Sequence, residues 1–219
     1  MVAILFDLEG TLVQSDEENL IGIKEFRSKV LKQLIALGIP SYNLKGIQTT
    51  SLMQNIAFDI VEKTYDTKGA KNFYLKLDSF LKKYELKWAI KSKLYGDTQD
   101  ALHKLGRQYI LGIVTNTSKD ATDIMLSNHN ISDFFRVVIT RNDVKKLKPD
   151  PEGIRIALNR LGETQFVYVG NSSYDSMAAK EAGGTSITVK RDPIKVLKFS
   201  PDYIVTSLVE ISDLLIKFG

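Results

Sequence analysis

The chain has 219 residues, 43% hydrophobic and 26% charged, enough apolar material for one large domain or two unequal ones with a real core. It contains no cysteine, which excludes disulfides, thiolate metal sites and cysteine nucleophiles. No apolar run approaches a membrane-spanning length and no basic segment precedes the first one, so the expectation is a cytoplasmic protein with no membrane partner.

The net charge of +4 is unevenly spread. Between Asp16 and Lys91 there are thirteen Lys/Arg against nine Asp/Glu, and the rest of the chain is balanced, so this segment carries the whole surplus. A lysine-rich solvated face accounts for it, and attraction of anionic substrates is the functional alternative. No arginine–aromatic clustering argues for nucleic acid.

Val2-Ala3-Ile4-Leu5-Phe6 is an uninterrupted apolar run, the pattern of a strand buried on both faces of a parallel sheet. It ends in Asp7-Leu8-Glu9-Gly10-Thr11, two carboxylates one residue apart, placed where α/β sheets gather their chemistry. The periodicity then becomes helical. Leu20 to Ile35 form a first helix, stopped by Gly38 and Pro40. Leu52, Ile56, Ile60 and Val61 mark a second, and Phe73, Leu77, Phe80, Leu81 and Tyr84 a third. These spacings predict a helical bundle inserted after the first strand.

From Leu94 strands and helices alternate. A short helix from Gly96-Asp97 to Gly106 precedes strand 109–114, which ends in Thr115-Asn116-Thr117-Ser118. A helix through Ile124 and Leu126, strand Val137–Ile139 and the Lys148-Pro149-Asp150-Pro151 turn follow. A helix ending near Leu161-Gly162 leads to strand Phe166–Val169 and then Gly170-Asn171-Ser172-Ser173-Tyr174-Asp175. A helix starting near Asp175 closes at Gly183-Gly184. Short strands Ser186–Val189 and Tyr203–Val205 and a helix from Leu208 to Phe218 complete the chain. The alternation predicts an α/β fold, a Rossmann-like doubly wound parallel sheet. The expected division is a core of residues 1–15 and 92–219 with a helical cap of residues 16–91. The junctions near Gln14-Ser15 and Ser92-Lys93 are the expected hinges.

Four strand ends, Asp7-x-Glu9-Gly10-Thr11, Thr115-Asn116, Lys148-Pro149 and Gly170-Asn171 with Asp175, stand in chain order. In order and spacing they resemble the four motifs of the haloacid dehalogenase superfamily, in its capped phosphatase branch of phosphoglycolate phosphatase and β-phosphoglucomutase type. The resemblance implies that Asp7 is a nucleophile forming an aspartyl-phosphate, Glu9 an acid/base and Lys148 the cation that neutralises the phosphoryl group. It also implies phosphate contacts from Thr115, Asn116, Lys148 and Thr11. Mg²⁺ would be held by Asp7, the backbone carbonyl of Glu9 and Asp175. Each position also has an ordinary structural role: Thr11 orienting the loop, Thr115 capping a helix, Asn116 forming a turn, Asp175 as N-cap or first-turn acid.

Two positions depart from the pattern. Glu9 stands where the phosphatases usually carry Asp, as in enolase-phosphatase-like members, and Asn171 stands where a second carboxylate is usual. The implied activity is Mg²⁺-dependent hydrolysis of a small phosphate monoester. The alternatives are a phosphomutase, a 2-haloacid dehalogenase on the same fold, and a non-catalytic phosphometabolite-binding protein. Glu9 weighs against the dehalogenase, because a carboxylate there would repel the carboxylate of a haloacid. His103 and His129 read as surface or packing residues, and Tyr84, Trp88 and Tyr95 as packing near the second junction or as a stacking surface for a ligand.

Overall fold

A computed structural model describes residues 2–14, 20–191 and 197–216, without the side chains of Leu20, Ile21 and Ile23. Its centre is a six-stranded sheet of β1 (Ala3–Phe6), β2 (Ile110–Val114), β3 (Phe135–Ile139), β4 (Phe166–Gly170), β5 (Thr185–Val189) and β6 (Tyr203–Val205). The spatial order is β3-β2-β1-β4-β5-β6 and every neighbouring pair is parallel, the doubly wound arrangement expected. Strand β1 is central, and its register aligns Phe6 with Ile113 on one side and Val169 on the other. All four of its residues are fully buried, which is why its apolar run is unbroken. Ile4 and Phe6 face one apolar cluster with Leu102, Ile113 and Val169. Ala3 and Leu5 face the other, with Val114, Ile154 and Tyr168. Since β2 and β4 flank β1, the crossovers leave it in opposite directions and open a crevice at the carboxyl ends of the strands.

The core helices are α5 (Thr98–Leu105), α6 (Lys119–Asn128), α7 (Glu152–Leu161), α8 (Ser173–Glu181) and α9 (Glu210–Ile216). The last starts later than the periodicity suggests. The carboxylate of Glu210 accepts from the N–H groups of Thr206 and Ser207, holding those residues as a non-helical lead-in. Phe218, the expected end of that helix, lies outside the described residues.

Between β1 and α5 the described residues form α1 (Leu20–Ala36), α2 (Ser41–Leu44), α3 (Thr50–Thr64) and α4 (Thr67–Lys91). One-turn α2 is too short to leave a periodic signal. After α1 the chain turns at Gly38, whose φ of +97° is left-handed, as its position before Pro40 suggested. The insert has its own apolar cluster, with Val30, Leu34, Met53, Val61, Phe73, Leu77 and Leu81 at its centre. Only the last turns of α4 join the core cluster, through Ala89 and Leu86. The segments leading into and out of the insert pair with each other: Gln14 N–H donates to Lys93 O at 2.8 Å and Tyr95 N–H to Leu12 O at 3.2 Å. Ser15, the other half of the first expected hinge, lies outside the described residues.

Candidate active site

The loop leaving β1 is shaped before any side chain acts. Asp7 still bonds to the sheet, its N–H donating to Val169 O at 2.8 Å. The carbonyl of Leu8 then accepts from the N–H groups of Thr11, Leu12 and Val13, folding the chain tightly back. Gly10 sits in this turn at φ +79°, and a Cβ there would lie 2.0 Å from Asn171 Nδ2. Glycine is therefore required twice, by the backbone and by the approach of the β4 loop.

Lys148 is the hub of the crevice floor. Its Nζ lies 2.7 Å from Asp7 Oδ1, 2.7 Å from Asp175 Oδ1 and 2.7 Å from Tyr168 Oη. All four groups are buried. Burial pushes the Asp7 carboxyl up to about 6; Lys148 opposes this and the charge of Asp175 adds to it. For Lys148, burial would favour the neutral amine, but the carboxylates of Asp175 and Asp7 outweigh it and hold the ammonium well above its ordinary value. The cation is thus permanent at neutral pH. Tyr168 Oη passes its own proton to Val114 O at 2.6 Å, which leaves its oxygen lone pairs for the ammonium.

Glu9 lies beside this group with a different environment. Burial pushes its carboxyl up to about 7, the Thr117 hydroxyl pulls the other way, and the charge of Glu85 adds to the rise. Thr117 Oγ1 donates to Glu9 Oε2 at 2.8 Å. Protonated and ionised forms therefore coexist near neutral pH, the property an acid/base needs.

Asp175 takes its anticipated place as a first-turn acid of the helix after β4. One oxygen meets Lys148; the other accepts from Asn171 N–H, Ser172 N–H and Ser172 Oγ at 3.2, 3.0 and 2.6 Å. With the Ser172 side chain accepting from Asp175 N–H, this is a capping box that starts α8 at Ser173, two residues before the expected start.

Three expectations need correction. Thr11 does not reach the crevice: it is fully buried, its Oγ1 has no partner among the described residues, and its carbonyl accepts from Arg191 Nη2 at 2.9 Å. The turn at Gly10 carries the chain inward, so a phosphate contact from Thr11 is ruled out. Thr115 lines the crevice, but its N–H is committed to Ile139 O at 2.9 Å in the sheet, and its hydroxyl donates to Thr117 Oγ1 and accepts from Thr117 N–H, both at 3.2 Å. Asn116 also lines it, yet both ends of its amide hold the Lys148 main chain, Oδ1 accepting from the N–H at 3.0 Å and Nδ2 donating to the carbonyl at 3.2 Å. It fixes the main chain of the lysine.

The crevice opens into a cavity of about 500 Å³ between the strand ends and the helical insert. The insert contributes Phe26, Arg27, Gln48, Thr49, Tyr84 and Trp88. Phe26 packs on Trp88 and Tyr84 at ring-centroid distances of 4.8 and 5.2 Å, the expected packing, and all three rings line the cavity. Tyr95 lies under the Arg191 guanidinium, His103 packs edge-on to Phe134, and His129 shares a 3.0 Å hydrogen bond with Ser92. Sequence reading missed Thr117, Tyr168 and Glu85. A hydroxyl inside the apolar strand Phe166–Gly170 was the one available signal for Tyr168.

Among the described residues no three acidic or imidazole side chains form a ready-made metal cage. Two carboxylates, Asp7 and Asp175, stand side by side with one oxygen of each on Lys148 Nζ, and Glu9 follows two residues beyond Asp7 in the same loop. That donor set fits Mg²⁺, which is typically bound through one or two carboxylates and completes its shell with water and substrate phosphate. The residues present therefore suit the ion.

A doubly wound sheet with Asp7, Thr115, Lys148 and Asp175 brought together at its strand ends, roofed by a helical insert, defines a hydrolase class. A model of the haloacid dehalogenase-like hydrolase family matches residues 4–189, and the chain belongs to that family of enzymes. It is 32% identical to pyrophosphatase PpaX of Bacillus velezensis, over 98% of this chain and 95% of that one. To the phosphoglycolate phosphatase of Cereibacter sphaeroides it is 27% identical, over 84% and 82%. The solved HAD phosphatase of Thermococcus onnurineus is 30% identical with a TM-score of 0.60, covering 98% of each chain. A 2-haloacid dehalogenase from Pseudomonas syringae shares the fold at 22% identity, with a TM-score of 0.61 and full coverage of both chains. Among the described residues no helix is long and apolar enough to cross a membrane.

Proposed function

We propose that this hydrolase is a Mg²⁺-dependent phosphatase that cleaves a small phosphate monoester through an aspartyl-phosphate on Asp7. The observation that carries the reading is the buried Lys148 ammonium, 2.7 Å from Asp7 and 2.7 Å from Asp175 at the floor of an open cavity. Pure binding of a phosphate does not need a carboxylate at that place. An attacking carboxylate needs a fixed cation beside it to offset the phosphoryl charge.

In the first step an Asp7 oxygen attacks phosphorus in line, and the bond to the leaving oxygen breaks as Glu9 donates its proton to that oxygen. In the second step Glu9 takes a proton from water, which attacks the same phosphorus and restores Asp7 with release of inorganic phosphate. A carboxyl titrating near 7 is suited to both directions of transfer. The ammonium of Lys148 orients the phosphoryl oxygens. Asp7, the Glu9 carbonyl and Asp175 would hold Mg²⁺, which supplies charge neutralisation for the phosphoryl group. A carboxylate at position 9 is unsuited to a haloacid substrate, and the relatives' names place pyrophosphate and phosphoglycolate first among substrates to try.

The domain division that accompanies this reading is a core of residues 1–15 and 92–219 and a cap of residues 16–91. The separate apolar cluster of the insert and the paired segments at Leu12–Gln14 and Lys93–Tyr95 support it. Closure of the cap would exclude bulk water from the acyl phosphate. The test is phosphate release from an aryl phosphate, pyrophosphate, phosphoglycolate and a panel of sugar phosphates, with Mg²⁺ and with EDTA. Metal-dependent release that Asp7→Asn lowers by at least about 10³-fold is the expected result. Release that persists in Asp7→Asn refutes the covalent route.

A further inference from the structure

We infer that Asn55, on the helical insert, is a positioning residue for Lys148 and makes the lysine's placement depend on closure of the insert over the core. Asn55 lies in α3, far from the reacting groups in sequence and on the other side of the cavity. Its side-chain amide forms two hydrogen bonds to one residue of the core: Nδ2 donates to Leu147 O at 2.8 Å, and Oδ1 accepts from Leu147 N–H at 2.8 Å. Leu147 is the residue immediately before the lysine and is 1% exposed, so without Asn55 its N–H would be buried without a partner.

The next residue is held in the same manner from the opposite element. Asn116, at the end of β2, accepts from Lys148 N–H and donates to Lys148 O. Two consecutive residues outside any helix or strand thus each have their N–H and C=O held by one asparagine, one from the insert and one from the core, and the Leu147 carbonyl also accepts from Asp150 N–H at 3.0 Å. In a chain that Pro149 biases toward extended geometry, successive N–H and C=O groups point to opposite sides. That is why one clamp has to come from above and the other from below. The side-chain amide supplies one donor and one acceptor in a plane, as a neighbouring strand would, and asparagine is otherwise a poor choice inside a helix.

The contact is part of a wider footing. Asp59, one turn along α3 on the same face, pairs with Lys146. The face of α3 carrying Asn55 and Asp59 therefore rests on the segment leading to Lys148. When the insert swings away, that segment loses its upper clamp. Leu147 N–H then has no partner, the segment keeps Glu152 on the Lys145 and Lys146 N–H groups, Asp150 N–H on Leu147 O and Asn116 on Lys148, and the geometry at Asp7 loosens. The insert thus assembles the catalytic floor as well as covering it.

The inference rests on the role proposed for Lys148, and the experiment separates the two. Asn55→Ala is compared with wild type and with Lys82→Met, which removes a different contact between insert and core, Lys82 to Asp120 at 2.8 Å. Turnover of an aryl phosphate with Mg²⁺ and amide hydrogen exchange at Leu147 and Lys148 are both measured on the full chain. In Asn55→Ala, kcat should fall about 10- to 100-fold with KM changed by less than about threefold, and exchange should rise at both amides. Lys82→Met should stay within about twofold in kcat, with both amides as protected as in wild type. Equal effects of the two substitutions, or an unchanged kcat in Asn55→Ala, overturn the inference. If the wild-type enzyme hydrolyses nothing in the panel, the phosphatase reading falls, and exchange alone decides the clamp: a rise at Lys148 sustains it and unchanged protection removes it.

Discussion

Replacing Arg141 by methionine should be among the most destabilising single changes at the junction of insert and core. Arg141 stands in the short 3-10 turn after β3 and is 6% exposed. Its guanidinium meets Glu85 of α4 through Nη1 and Asp78 through Nη2 at 2.8 Å. Glu85 is 7% exposed, and Ser118 N–H, at 3.3 Å, is its other hydrogen-bond donor. Methionine keeps most of the stem's packing but leaves Glu85 as a buried carboxylate without a cation. Removing one partner of a buried pair costs about 3–5 kcal/mol, whereas the half-exposed side of the network at Asp78 adds little. For a chain of this length, each kcal/mol lowers Tm by about 2–4 °C, so the melting temperature should fall by about 6–20 °C. Thermal unfolding followed by circular dichroism reads this directly. The double variant Arg141→Met/Glu85→Met removes both charges and should recover most of the loss, because well-packed apolar groups replace a buried pair at little cost. A single variant that melts within about 3 °C of wild type would refute the reasoning. So would a double variant no more stable than the single, since the cost would then lie in packing and not in the stranded charge.

Two further outcomes follow from the same geometry. Gly10→Ala places a side chain at φ +79° and within 2.0 Å of Asn171 Nδ2, so a loss of at least about 1–2 kcal/mol in urea unfolding, together with reduced turnover, is expected; wild-type stability would contradict the close approach. Asp97 is held below its ordinary carboxyl value: burial opposes this, but Arg191, the Ser207 hydroxyl and the Leu208 N–H outweigh it. A group depressed in the folded state contributes stability that is present above the unfolded value of 3.8 and is lost as pH falls through the folded one. Asp97→Asn should therefore cost about 1.5–3 kcal/mol at neutral pH, with the gap to wild type closing as pH falls below 3.8 and through the folded value. A gap independent of pH, measured from urea midpoints, would show that the charge of Asp97 is not what matters.

The cap prediction and the Arg141 prediction concern the same surface. Glu85 pairs with Arg141, and its charge also raises the Glu9 carboxyl, so the ion-pair network between insert and core borders Glu9. Asn55 touches the core at Leu147, a short step from the other side of that floor.

What the sequence by itself determined are the properties that short-range chemistry dictates. The unbroken run Ala3–Phe6 can only be a doubly buried strand, and alternation of strands with helices leaves little choice but a parallel sheet. Polar groups ending such strands must meet at its carboxyl edge, which is why Asp7, Thr115, Lys148 and Asp175 were legible before any coordinates. Gly38 announced the end of α1 because few other residues adopt its φ. Tertiary structure alone decided the pairings across the chain. Thr117 reaches Glu9 over a separation of 108 residues, Tyr168 reaches Val114 over 54 and Asn55 reaches Leu147 over 92. Nothing local distinguishes those side chains from an ordinary threonine, strand tyrosine or helix asparagine. The same limit explains Thr11 and Asn116. Their residue types suited a phosphate, but a turn at Gly10 buried one and the Lys148 main chain claimed the other. A donor's type is written in the sequence; the acceptor that takes it is chosen by how the elements pack.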